Sequence, residues 1–306
     1  VIQLLPMGTL AHVAFILLLS RVFSVAGLQI ARERSMNLSN KLERIRDHRT
    51  VPKIIHQTWK DDKLPPDFER WSRSWKECLP DWSYKLHTDH DNREMIKDNF
   101  PEMLGLYDNY SRIQRVDAAR YAYLALEGGL YVDLDMECFG DRHSFPDVSD
   151  FDVVLVNEAS SEWPQVSNSV MLSGLGAGQQ FFKHVLRSLK KYWWQPDILY
   201  STGPQLLTRA LLDDTDDSFE FDPDSFEKQA EVFKTGPGAM KRIDTLSPEG
   251  HTSFAVLDDS FMLNIRWDDN TTKAGCLNRT WCMQDFPNAV AVSHWSASWR
   301  ESFKEF

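Results

Sequence analysis

Residues 111–135, SRIQRVDAARYAYLALEGGLYVDLD, constrain the fold more than any other stretch of the chain. Ile113, Val116, Ala119, Tyr123 and Leu126 recur every three or four positions, the period of an amphipathic helix. Ser111 is placed to cap its start, and Gly128-Gly129 to stop it. An apolar run from Leu130 to Asp135 follows at once and reads as a strand. Strand alternation sends Leu130, Val132 and Leu134 to one face, and Tyr131, Asp133 and Asp135 to the other. Glu137 continues that alternation with no role attached. Carboxylates in an apolar strand are costly unless paired or bound to a cation. At the carboxyl end of a strand in an open α/β sheet, where ligands bind, two hard oxygen donors suit Mg²⁺ or Mn²⁺.

The rest of the body repeats the helix–strand rhythm. Lys53-Ile54-Ile55-His56 reads as a buried first strand, and residues 67–78 as a helix opened by Asp67 after Pro65-Pro66. Residues 82–87 alternate as a strand, and residues 89–104 read as a helix broken at Pro101. Further strands are predicted at 152–157 and 290–294, and helices at 179–192 and 203–213. The alternation through 51–157 predicts an α/β domain with a mainly parallel sheet. Five D-x-D pairs occur; Asp89/Asp91, Asp150/Asp152, Asp214/Asp216 and Asp222/Asp224 read as solvated loop or tract charges. Only Asp133/Asp135 sits in an apolar strand after a helix and a Gly-Gly stop. Asp117 and Arg120, three apart on one helix face, are either a surface ion pair or a grip on a polyhydroxylated ligand. The acidic stretch 213–227 reads as a surface loop.

The net charge of −11 argues against nucleic-acid binding, which wants a basic footprint. Residues 4–20 carry no formal charge, and apolar character continues past Arg21 to residue 30. Residues 1–30 therefore fit a membrane anchor, the preferred reading, or a signal peptide cut near Ser24-Val25-Ala26. Residues 31–50 are charged and read as a stem ahead of a folded domain at 51–306. The sequons at Asn37, Asn109, Asn270 and Asn278 favour lumenal exposure. Of the four cysteines, Cys276 and Cys282 are close enough in a loop-like stretch to bridge. Cys78 with Cys138 is a pairing the sequence allows but does not select.

The run R-x-D-A-x-R-Y-x-x-L-x-x-x-G-G-x-Y-x-D-x-D, Arg115 to Asp135, resembles the sugar-binding region of glycosyltransferase family 32. That group includes fungal Golgi α-mannosyltransferases and inositol-phosphoceramide mannosyltransferases. V-P-K-I-I-H-Q-T-W (51–59), S-N-S-V-M (167–171), S-T-G-P (201–204) and H-W-S-A-S-W (294–299) are similar too, in order along the chain. The resemblance implies a GT-A fold, a nucleotide-sugar donor, Mn²⁺ or Mg²⁺, and retention of anomeric configuration. It implies direct metal binding by Asp135, and ribose or metal binding by Asp133. Asp117 and Arg120 would hold the donor sugar. Ile55, His56, Gln57, Thr58 and Trp59, with Tyr131, would cradle the nucleoside, and His294 would be a metal or diphosphate ligand. Trp295, Ser296, Ser298 and Trp299 would close over the diphosphate. Asn168, Ser201, Thr202 and Gly203 would meet sugar or acceptor, Trp295 and Trp299 adding to that pocket. GDP-mannose is the favoured donor, a UDP-galactose or UDP-glucose type the alternative. The acceptor is a glycan or a glycolipid, and the place a Golgi or other secretory membrane. A metal-dependent hydrolase and a non-catalytic sugar-binding relative are the competing classes. The former lacks a second ligand set, and the intact acidic cluster argues against the latter.

Overall fold

The computed structural model describes residues 50–140, 145–158, 165–213, 235–236, 238–247, 250–263 and 269–296. All of them fall in one compact unit, Arg49–Phe306. Residues 1–49, residues 214–227 of the acidic stretch, and Ser298 and Trp299 lie outside the described residues.

Seven strands form the main sheet: β1 (Ile54–Thr58), β2 (Ser83–His87), β3 (Gly129–Val132), β5 (Val153–Asn157), β6 (Val166–Ser173), β7 (Met240–Ser247) and β8 (Gly250–Leu257). Their order is β2-β1-β3-β6-β5-β8-β7. Five run in one direction, while β6 and β7 run against them. The sheet is thus mainly parallel, as expected, but mixed. A small second sheet orders β4 (Met136–Cys138) beside β10 (Ala291–Ser293), and β10 beside β9 (Met262–Leu263). The helices are α1 (Pro66–Cys78), α2 (Asp89–Asn99), α3 (Leu104–Asn109), α4 (Arg112–Leu126), α5 (Ala177–Tyr192), α6 (Ile198–Ser201), α7 (Pro204–Asp213), α8 (Asn270–Cys276) and α9 (Arg279–Asp285), with a 3₁₀ turn at Pro101–Met103.

Both faces of the main sheet are covered, so its central strands are apolar on both sides. Tyr131, Val153, Leu155, Phe254 and Val256 join one cluster with α4, α5 and α7. Leu130, Val132, Val154, Val156, Ala255 and Leu257 join the other, with Trp75 of α1 and residues of the small sheet. The alternation read from the sequence is therefore the division between two cores.

Four expectations change. First, α4 is not a surface helix with one apolar stripe: residues 117–125 are all buried, while Val116 is half-buried and Leu126 exposed. Ala118, Ala119, Ala122 and Ala125 let the sheet and α5 approach closely from several sides. Second, the strand ends at Val132 rather than Asp135. Asp133 N donates to Ser169 O, Met136 N closes a turn onto Asp133 O, and the chain leaves for the small sheet as β4. Third, the AGCLNRTWC stretch is two short helices, α8 and α9, not a loop. Cys276 and Cys282 bridge across them, and Cys78–Cys138 ties α1 to β4. Asp152 is also no solvated loop charge. It is buried and accepts from Ser253 N (2.8 Å) and Oγ (2.7 Å).

The Gly128-Gly129 stop has a steric reason. Both residues have positive φ, +67° and +92°. A Cβ on Gly129 would sit 2.6 Å from Ile54 O, and one on Gly128 2.9 Å from Ser173 O. The helix can turn into β3 only because nothing projects there.

Candidate active site

Ser111 and Gln114 form the capping box that starts α4, and Gln114 reaches Ser201 Oγ at 3.0 Å. One turn later Asp117 is buried at 4% exposure. Its Oδ1 accepts from Asn168 Nδ2 (3.0 Å) and lies 3.2 Å from Arg120 Nη2; its Oδ2 accepts from Thr202 Oγ1 (2.8 Å). Burial raises the Asp117 carboxyl above its ordinary range, opposed by Arg120 and its two hydrogen bonds. Thr202 arrives from the turn before α7, and Asn168 from β6. Tyr121, one turn further along α4, donates to Thr202 O (2.8 Å) and accepts from Asn168 Nδ2 (3.0 Å).

Arg120 joins this network to the aspartate pair. Its Nη1 donates to Asn168 O (2.7 Å) and pairs with Asp133 Oδ1 (3.1 Å), while its guanidinium lies over the Tyr131 ring at 4.9 Å. Burial works against its charge, but Asp133, Tyr131 and Asp117 together hold it protonated. Its buried Nε has no hydrogen-bond partner among the described residues. Asp133 also accepts from Tyr131 Oη (3.0 Å). Its carboxyl is pushed up to about 7 by burial first, with Arg120 opposing and the neighbouring charge of Asp135 adding.

Asp135 faces the C-terminal segment. Its Oδ2 accepts from Ser296 N (2.9 Å) and Oγ (3.0 Å), and its carbonyl accepts from His294 N (2.9 Å). Pairing of β10 with β4, Ser293 opposite Met136, brings that segment there. The hydrogen bonds and ion pairs of each carboxyl thus fall on one oxygen, Asp133 Oδ1 and Asp135 Oδ2, and the other oxygen of each suits a hard cation.

His294 does not join them. Its Nε2 contacts Glu137 Oε2 at 2.9 Å, and its ring stacks on Trp71 at 4.4 Å. Among the described residues no group of three His, Cys, Asp or Glu is gathered to hold a metal, so the expected Asp133–Asp135–His294 set is not formed. Glu137, without a role in the sequence, is the buried partner of both His294 and Arg279. Trp295 follows with φ +43°, a region non-glycine residues rarely enter, and strain of this kind concentrates at functional sites.

The first-strand segment divides. Ile55 is buried in the core, and His56 in a polar pocket under α4, so neither reaches the cluster. Gln57 Nε2 donates to Asp133 O (3.2 Å), the Thr58 side chain lies near Tyr131, and Trp59 packs on Phe68 at 4.6 Å. Ser201 braces Gln114, and Gly203 O accepts from Tyr121 Oη at 3.4 Å. The structure gathers Asp117, Arg120, Tyr131, Asp133, Asn168 and Thr202 around one point. Gln114 and Tyr121 brace that point, while Trp71 and Glu137 hold His294 apart from it; their polar ends in a helix or strand were the only signal the sequence held.

A family model described as "Glycosyltransferase sugar-binding region containing DXD motif" matches residues 65–165. Inositol phosphoceramide mannosyltransferase 3 of Schizosaccharomyces pombe is 35% identical over 167 residues, 52% of this chain and 44% of that protein. Mannosyl phosphorylinositol ceramide synthase SUR1 of Saccharomyces cerevisiae is 40% identical over 167 residues, 52% of this chain and 41% of that protein. The chain therefore spans less than half the length of these curated relatives. Among solved structures, PaToxG Glycosyltransferase superposes with a TM-score of 0.44 at 16% identity, over 61% of this chain and 79% of that one. Over residues 65–165 the chain is thus similar to glycosyltransferase sugar-binding regions that carry the DXD motif, and the relatives that share this stretch are named as mannosyl-transferring enzymes.

Proposed function

We propose that this chain is a retaining, divalent-metal-dependent glycosyltransferase of GT-A type, moving a hexose, by preference mannose, from a nucleotide sugar to a glycolipid or glycan. One observation carries the reading: a buried guanidinium, Arg120, links two carboxylates on different elements, Asp117 and Asp133, beside a third, Asp135. A surface ion pair needs no such burial. A site for a sugar diphosphate does, because hydroxyls want fixed carboxylate acceptors and phosphates want fixed positive charge. The two relatives named as mannosyl enzymes favour mannose, and GDP-mannose is the donor this reading prefers.

A nucleoside diphosphate leaves as a weak base, so no acid is needed to protonate it. Asp117, held by Asn168 and Thr202, would accept hydrogen bonds from the donor sugar's hydroxyls. Arg120 would lie against the charge that builds on the leaving phosphate. Asp133 Oδ2 and Asp135 Oδ1 would hold Mn²⁺ or Mg²⁺, which supplies Lewis-acid stabilisation of that charge. Ser296 keeps Asp135 oriented. Two disulfides and three exposed sequons among the described residues, Asn109, Asn270 and Asn278, favour an oxidising, lumenal setting, the Golgi by preference.

The test is a thermal-shift panel of GDP, UDP and their sugars with Mn²⁺. A ligand at about a hundred times its dissociation constant stabilises by about 2.7 kcal/mol. GDP-mannose with Mn²⁺ should raise Tm most. Asp135→Ala should abolish the metal-dependent part and turnover while keeping the unliganded Tm. No shift with any nucleotide plus metal sinks the reading.

A further inference from the structure

Helix α5 is the charge anomaly of the molecule. The chain carries 45 acidic against 34 basic residues, yet AGQQFFKHVLRSLKKY contains no Asp or Glu. Its basic residues Lys183, Arg187, Lys190 and Lys191 stand at i, i+4, i+7 and i+8, one exposed stripe. The opposite face, Phe181, Phe182, Val185, Leu186, Leu189 and Tyr192, is buried in the core. At the end of the stripe the chain presents Trp193 at 60% exposure and Trp194 at 61%, with Leu199 at 44% shortly after. A soluble surface seldom shows two adjacent tryptophans to water. Indoles and lysines together suit a membrane interface, where rings sit at headgroup level and ammonium groups meet anionic lipid.

The position of this apex is fixed by hydrogen bonds. Gln179, at the start of α5, donates to Leu126 O at the end of α4, while Tyr110, just before α4, donates to Leu189 O near the end of α5. The two helices are therefore antiparallel. The tryptophans lie toward the end of α4 that starts at Ser111 and carries Asp117, and the chain running on from them supplies Ser201 to Gln114 and Thr202 to Asp117. The apex and the sugar pocket share one end of the fold and one connecting segment. Among the described residues, Asp197 caps α6 and Glu102 lies 3.8 Å from Lys190.

We infer that the stripe on α5 and the Trp193–Trp194–Leu199 apex dock the body of the protein on an anionic lipid surface, with the Asp117 pocket toward the bilayer. The docking stands on these residues alone. Its purpose, presenting the pocket to a lipid-held acceptor, rests on the transfer reading above.

The experiment uses the full chain with phosphatidylcholine vesicles, with and without phosphatidylserine, carrying acyl-brominated lipid that quenches indoles at the interface. Residues 1–50 contain no tryptophan, so fluorescence reports the body even if those residues hold the chain on the vesicle. Wild type should be quenched, more so with phosphatidylserine and less at high salt. Trp193→Tyr/Trp194→Tyr should lose the quenched component. Lys190→Gln/Lys191→Gln, which keeps every indole, should lower the docked-to-undocked ratio about 25-fold, roughly fivefold per lysine. Equal quenching in wild type and the tyrosine variant, no quenching at all, or indifference to phosphatidylserine overturns the inference. The nucleotide-sugar thermal shift on the same preparations reports the transfer reading separately. A chain that docks without a shift loses that reading and keeps this one; a chain that shifts without quenching does the reverse.

Discussion

His56 shows what a strand reading can and cannot see. Its position in the first strand was legible; its direction was not, because alternation gives two faces and both are buried here. Its Nε2 meets Gly128 O at 3.0 Å and its Nδ1 meets His87 Nε2 at 3.0 Å, with the Tyr123 ring stacked on His87 at 3.7 Å. Only one tautomer pair satisfies both contacts: His56 Nε2–H donates to Gly128, and His87 Nε2–H donates to His56. A proton on His56 Nδ1 would destroy that arrangement. Burial lowers His56 to about 4; burial, then the charges of His56 and Lys85, lower His87 to about 3. Depressed histidines contribute stability that is full above the unfolded value of 6.5 and is lost as pH falls toward the folded values. From pH 7 to 5 the urea midpoint should therefore fall, by about 2–4 kcal/mol in unfolding free energy. His87→Leu should flatten that slope. An unchanged slope in the variant would assign it to other groups. Asp117 and Arg120 were legible in another way, since their spacing is local. Their partners Asn168 and Thr202 lie 51 and 85 residues from Asp117, and only the family-like motifs at 167–171 and 201–204 pointed to them.

At the scale of elements, the helix–glycine–strand unit was readable because every signal in it is local: a cap, a period and a stop. Strand β6 was not read as a strand, because VSNSVMLS mixes polar residues that serve the site with apolar ones that serve the core. The β7–β8 hairpin was missed for a similar reason; MKRIDTLS is an edge strand with a charged outer face. The turn at Asp133–Asp135 was missed because the strand-like alternation continues through Leu134, which is buried for a reason of tertiary packing. The glycine stop gives a contrast between two glycines of very different standing. Gly129→Ala combines φ +92° with a Cβ 2.6 Å from Ile54 O, and should cost roughly 2–4 kcal/mol. Gly105→Ala, in α3 with nothing within 4 Å of the new Cβ, should be neutral or stabilise by up to about 1 kcal/mol. Urea titrations of the two variants, read at constant m, decide it; equal effects would remove the steric account of the α4–β3 turn.

For the whole molecule, what the sequence left open was how its distant ends meet. The pocket needs β3, the turn of Asp135 and the segment after β10 to stay together, though His294 and Asp135 are far apart in the chain. Two fasteners hold that junction. Trp75 Nε1 donates to Met136 O and Ser74 Oγ accepts from Cys138 N, so α1 clamps β4. The Cys78–Cys138 disulfide locks the same contact over a separation of 60 residues. Cys276–Cys282 spans only 6 and braces α8 against α9. In the chain-entropy account, stabilisation grows with the loop closed: about 4 kcal/mol for the long one and about 2 kcal/mol for the short one. Cys78→Ala/Cys138→Ala should thus lower unfolding free energy about twice as much as Cys276→Ala/Cys282→Ala. It should also free β4 beneath Asp135, so metal-dependent nucleotide binding should weaken in the first variant and hold in the second. Denaturant midpoints and Mn²⁺-dependent thermal shifts on both variants separate the two effects. If the first variant loses stability but binds nucleotide and metal as the parent does, the α1–β4 junction serves the fold alone, and the turn carrying Asp135 is held instead by Ser296 and by the backbone bond from His294.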